Sequence, residues 1–214
     1  MSVEILGRVG PGYGADGTNN NPRLTKDLGV ATQSLHGNYY EGTYRGNVWT
    51  LSTAVGGVTV AAANVIAASA GSPIVGVFNP VNSGKNLVII RASSTWASGT
   101  AGAGGLVWGI IPPNAAVTAT GGNGAINNAT FTTGGSVAKT FTGSALTGAG
   151  VSTLFRFLGG PTTGALAANG SPTVNEETAG DIICPPGAVV GLFAAAAGTS
   201  PIVMASMTWE EVAI

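Results

Sequence analysis

From Asn47 onward the sequence is a succession of short β-branched or apolar runs broken by clusters of Gly, Pro, Asn and Ser. Runs of that length, punctuated that often, predict strands joined by turns. The candidates span residues 48–53, 58–62, 74–78, 87–93, 106–111, 115–120, 129–133, 137–142, 153–157, 181–184, 189–194 and 202–209. With no amphipathic helix of useful length beside them, they predict an all-β chain of two packed antiparallel sheets, a β-sandwich with the jelly roll as its most economical topology.

Burial is legible in some of these runs. Phe131 lies between Thr130 and Thr132, and Phe141 between Thr140 and Thr142, the alternation of a strand with one wet face, whereas Leu87-Val88-Ile89-Ile90 is apolar on both faces. That run belongs in the middle of the structure or at a subunit contact. Residues 61–70 have the alanines of a helix, but their β-branched neighbours and Gly71-Ser72-Pro73 weigh against one. The Gly, Ala, Thr and Ser tracts at 99–124 and 143–170 are expected as long loops.

Before Asn47 the pattern changes. Lys and Arg (8) with Asp and Glu (9) make 17 charged residues, and 8 of them fall in the first 45 positions, together with every tyrosine and the single histidine. This stretch has no period of 3.6 or 2.0 and carries Pro11 and Pro22. The chain therefore divides into an extended N-terminal arm, residues 1–46, and a β-sandwich body, residues 47–214. Leu35, Tyr39, Tyr40 and Tyr44 need a surface to pack on, and an arm with such anchors lies on a partner. The partner-binding candidates are Arg23, Leu35, His36, Tyr39, Tyr40, Glu41, Tyr44 and Arg45. Tyrosines supply rigid contact area, and the two arginines can pair with carboxylates.

Composition sharpens the picture. Only 8% of residues are charged, against about 25% in ordinary soluble domains. A surface of small uncharged side chains with little charge to keep copies apart predicts a homo-oligomer. The formal net charge of −1, without a basic stripe, argues against nucleic acid as a partner. No stretch is long and apolar enough to span a bilayer, and the opening residues do not read as a signal peptide. One cysteine, Cys184, forms no internal disulfide and suits synthesis in a reducing cytoplasm.

Motifs that could carry chemistry sit in the wrong context. Gly12, Gly14 and Gly17 have the spacing of a dinucleotide-binding loop, but Pro11 precedes them and Asn19-Asn20-Asn21-Pro22 stands where a helix should start. Ser136 and Lys139 have the Ser-x-x-Lys spacing of a serine acyltransferase, which needs a helix, yet they lie in a strand-like run. A lone histidine leaves neither a conventional triad nor a histidine metal cluster. Cys184 ends an apolar strand and reads as a small buried hydrophobe. Glu176, Glu177 and Asp181 form the densest acidic group, read as solvated charge or as intersubunit partners of Arg91 or Arg156, while Glu210-Glu211 reads as a second exposed pair with no basic neighbour. No catalytic set and no cofactor are expected.

Two regions carry a resemblance. Pro22-Arg23-Leu24, Leu35-His36-Gly37-Asn38-Tyr39-Tyr40-Glu41 and Tyr44-Arg45-Gly46-Asn47 resemble the N-terminal arms of tailed-bacteriophage virion proteins, and Pro185-Pro186-Gly187 with Ser206-Met207-Thr208-Trp209-Glu210-Glu211 is similar to the last strands of jelly-roll capsid decoration, or cement, proteins. The resemblance implies a homotrimer that is made in the host cytoplasm, seats on the major capsid protein at the outside of the head, and braces the lattice. A receptor- or carbohydrate-binding module of a phage fibre or surface appendage is the alternative, with Trp49, Trp96 and Trp108 as its candidate platform. An enzyme survives only as a metal-assisted hydrolase around Glu176, Glu177 and Asp181.

Overall fold

A computed structural model describes residues 37–67, 71–113, 124–143, 151–160, 164–165 and 172–214. The chain divides into two units, residues 1–40 and 41–214. Of the first, only the turn at 37–40 lies within the described residues, where the Tyr40 amide donates to the Gly37 carbonyl. The expected strand at 115–120 falls outside them, as do the glycines at 12–17.

The second unit is all-β. After the short helix α1 (Tyr40–Tyr44) come β1 (Val48–Ser52), β2 (Val58–Thr59), β3 (Val75–Phe78), β4 (Lys85–Ala101), β5 (Leu106–Ile111), β6 (Ile126–Asn127), β7 (Lys139–Phe141), β8 (Thr153–Gly159), β9 (Gly164–Ala165), β10 (Thr173–Cys184), β11 (Val189–Ala194) and β12 (Thr199–Ala213). All the ladders between these strands are antiparallel. One sheet runs β10-β4-β12-β1-β6, with β2 on β12 and β9 on β4, and the other runs β7-β3-β11-β5-β8.

Alternation builds the first sheet. Trp49 and Leu51, Met207 and Trp209, and Ala92 and Trp96 face the core, while Thr50, Ser206, Thr208, Ser93 and Thr95 lie on the opposite face. The Leu87–Ile90 run is apolar throughout because β4 lies between β10 and β12 and carries a bulge at Ile90, where the register jumps from Ile89 to Arg91 against both neighbours.

The middle of the second sheet is buried on both faces, so β3 and β11 read as nearly continuous apolar runs. Val75, Val77, Val190 and Leu192 face the first sheet and join one cluster with its tryptophans. On the other face Gly76, Gly191 and Gly109 are register partners across β3, β11 and β5, making a row without side chains. Pro73 lies on that row at Gly76 and Gly191, and Ile66 lies on it at Gly109. Just before Ile66, where a strand was expected to 62 and the alanines of 61–70 only suggested a helix, the chain makes one 3-10 turn at Ala62–Asn64.

Other expectations change. The strand expected at 129–133 is replaced by a turn at 128–130, where Asn127 Oδ1 accepts the amides of Ala129 and Thr130, and only Thr133 pairs, as an isolated bridge to Ile126. Phe131 then sits at φ 56° with its ring in solvent. Conversely, β10 starts at Thr173, β4 continues to Ala101, the strand expected at 153–157 runs on to Gly159 as β8, and β9 occupies part of an expected loop tract. Cys184 is buried at a strand end, its thiol donating to the Ala188 carbonyl at 3.3 Å.

That burial has a measurable consequence. It pushes the Cys184 thiol from 9.0 up to about 12, against a smaller opposing pull from the Asn79 backbone. The folded chain should not react with a thiol reagent near neutral pH, and one thiol per chain should titrate after unfolding. Because the folded state holds its proton to higher pH than the unfolded state, stability present below about pH 9 should fall as pH climbs toward about 12. Fast modification of the native protein would contradict the burial.

Candidate functional site

The residues singled out for partner contact distribute unevenly. Arg23, Leu35 and His36 lie outside the described residues. The short α1 stops at Gly46, which follows it at φ 75°, and whose amide with that of Asn47 caps the turn on the Thr43 and Gly42 carbonyls. On this helix Tyr40 and Tyr44 are exposed. Arg45 and Glu41 pair with each other at 2.6 Å across one turn, both largely in water. Such an exposed pair adds little stability.

The acidic group, expected as solvated charge or as intersubunit partners of Arg91 or Arg156, is instead a structural node within one chain. Arg156 on β8 places Nη1 at 2.9 Å from Asp181 and Nη2 at 2.5 Å from Glu176, and Glu176 also accepts the indole N–H of fully buried Trp108 at 2.7 Å. The Asp181 hydrogen bond raises the guanidinium above its ordinary value, burial opposes it, and Glu176 adds to the rise. The node ties β8, at one end of the second sheet, to β10, at one end of the first. Asp181 reaches it from a bulge at residues 178–181, where Ala179 and Gly180 both have positive φ. Glu177 stands opposite Arg91 in the ladder instead. Among the described residues no three His, Cys, Asp or Glu side chains converge as a metal site.

Glu211 overturns the reading of Glu210-Glu211 as an exposed pair with no basic neighbour. Its side chain is 1% exposed and pairs with Lys85 at 2.8 Å. The other carboxylate oxygen accepts the Ser136 hydroxyl at 2.6 Å and the Val137 amide at 2.9 Å. Ser136 thus spends its proton on a buried carboxylate and accepts the Ala138 amide, which is a tether rather than a nucleophile paired with Lys139.

The chain matches no family model, no curated protein and no solved structure.

Two surfaces remain that sequence reasoning passed over. The outer face of the first sheet holds two shallow hollows of about 320 and 310 Å³ that share Ser93, Ser206 and Asn175. Their hydroxyls pair across strands, Thr50 with Thr208 at 3.0 Å, Ser93 with Ser206 at 2.7 Å and Thr95 with Thr173 at 2.9 Å. The second surface is β8, which ends its sheet and leaves Leu154, Phe155 and Phe157 exposed. Trp49, Trp96 and Trp108 are buried, so the aromatic platform expected for a carbohydrate-binding module is part of the core. No helix among the described residues is long and apolar enough to cross a membrane.

Proposed function

We propose that this chain is a structural subunit, a virion protein that packs on the outside of a phage capsid and braces its lattice through protein–protein contacts. The observation that carries this reading is the contrast between its two kinds of aromatic residue. The core cluster of the described residues runs from Trp49 to Trp209 and includes all four tryptophans, while Tyr40 and Tyr44 lie outside it, 46% and 71% exposed, on the helix that carries the self-paired Glu41 and Arg45. Aromatic rings that a domain does not use for its own core are the anchors of an interface.

Strand order supports the same reading. We infer that the sandwich is a jelly roll. β1, β12, β4 and β10 lie side by side in one sheet and β3, β11, β5 and β8 in the other. This is the order that results when an eight-stranded antiparallel ribbon is rolled into two Greek keys, with β6 and β7 added at the outer ends. The architecture recurs in capsid and lectin domains, and it does not by itself choose between them.

Deleting residues 1–45 decides the matter. The truncated chain should keep its β circular dichroism and lose co-sedimentation with capsids of the phage that encodes it, which the full chain shows. Undiminished binding by the truncated chain would place the anchor on the sandwich. Failure of the full chain to bind would overturn the reading.

A further inference from the structure

We propose that two copies of this chain pair edge to edge through β8, joining their five-stranded sheets across a two-fold axis. The inference names a partner within the assembly reading above, and it rests on how the four ends of the two sheets are built.

An unpaired edge strand offers a row of amides and carbonyls to any passing strand, and natural sheets blunt that hazard by shortness, charge or bulges. Among the described residues, three of the four sheet ends are blunted. β6 has two residues and β7 three. β10 carries Glu176, Glu177 and Asp181 and a bulge of four residues. β8 is different. It has seven residues, Thr153–Gly159, and its only charge, Arg156, is neutralised within the chain by Glu176 and Asp181. Its own bulges against β5, at Phe155 and Leu158, twist the strand yet leave Leu154 43%, Phe155 50% and Phe157 66% exposed. A surface of that kind on an edge is either an aggregation site or an interface.

The sequence of the edge selects a second copy as the occupant. Leu154-Phe155-Arg156-Phe157-Leu158 reads the same in both directions. An isologous contact requires that residue i meet j while j meets i. Antiparallel pairing centred on Arg156 meets that requirement, setting Phe155 against the partner's Phe157 and Leu154 against the partner's Leu158. Each such aromatic or apolar cross-strand pair is stabilising. The two central arginines would repel if bare, but each already carries two carboxylates of its own chain. With Val151 and with Ile183 on the adjacent β10, the exposed apolar side chains offer roughly 500 Å² per copy, about 1,000 Å² for the pair, the lower limit of a specific interface. A reversible dimer is therefore expected, in place of the trimer that the resemblance implies.

Light scattering on the full chain over a concentration series should show a monomer–dimer equilibrium. Phe157→Lys should remain folded, since the ring is in solvent, and should be monomeric throughout. Glu177→Lys on the β10 edge should dimerise like the parent. To fix the register, Phe155→Cys and Phe157→Cys chains oxidised as an equimolar mixture should give a disulfide-linked dimer that neither gives alone. A monomeric parent, or a trimer that Phe157→Lys leaves intact, would overturn β8 pairing. Capsid co-sedimentation separates this from the assembly reading. A monomeric Phe157→Lys chain that still binds capsids supports β8 pairing as a contact distinct from the anchor, while a β8 dimer that binds none sinks the capsid reading alone.

Discussion

Glu211→Ala should lower the unfolding free energy by about 3 kcal/mol or more, read as a fall in urea midpoint at constant slope. The carboxylate is 1% exposed and has three donors, Lys85, Ser136 and the Val137 amide. Lys85 is a third exposed and can turn to water, so its loss contributes the smaller part. The Ser136 hydroxyl is buried and loses its carboxylate acceptor, and the Val137 amide loses its partner too, each costing about 1–3 kcal/mol. The change also unties the approach to β7 from the end of β12, two elements in different sheets. Glu211→Gln keeps an acceptor at the same reach and should lose less than half as much. A loss below about 1 kcal/mol for the alanine variant would mean that water replaces the carboxylate, and that the tether is incidental.

The buried Glu211 was readable before the structure. Met207 and Trp209 face the core, and a period of two puts Glu211 on their side and Glu210 on the other. Judging the two acids as a pair hid that. Strands whose two faces differ, or that sit between two others, were plain from residue type. Residues 106–111 and 189–194 are strands over the expected spans, and 48–53 differs by one residue. The halves of β4 and β10 that escaped notice have Ser94, Thr95, Thr173, Asn175 and Glu176 where an apolar residue would have marked the strand. Such segments are strands because their neighbours supply a ladder, which is a tertiary fact. The strand expected at 129–133 fails for the opposite reason. Its β-prone residues are overruled by one asparagine side chain.

Legibility of the candidate site follows the same division. The exposed Tyr40 and Tyr44 were recognisable as residues with no run to join. The tryptophans were not separable into core and surface by type, since a tryptophan suits either place, and burial of Trp49, Trp96 and Trp108 depends on two sheets meeting. The palindrome in β8 is visible in the sequence, but its meaning is not. Only strand order reveals that this run ends a sheet.

Gly191→Ala should be among the most damaging single-methyl additions to the chain, at about 3 kcal/mol, the upper end of what overpacking a core costs. Gly76, Gly109 and Gly191 are all absent from the positions with positive φ, so glycine is not there to permit an unusual backbone angle. It is there for space. A Cβ at Gly191 would lie 2.6 Å from Cβ of Pro73 and 2.9 Å from the Val75 carbonyl oxygen, a rigid ring and a backbone atom. Neither can step aside as a long side chain would, so the covering segment has to lift or the central strand has to shift. Gly109→Ala meets the end of the Ile66 side chain and the edge of the Phe193 ring, side-chain atoms rather than backbone, and should cost less. Gly56→Ala has nothing within 4 Å and a φ open to any residue, and should change stability by no more than about 0.5 kcal/mol. The ranking Gly191, Gly109, Gly56 in thermal or urea unfolding tests the glycine row directly. If Gly191→Ala proved as harmless as Gly56→Ala, the segment carrying Pro73 would not be seated on the sheet, and the second sheet would have an open outer face.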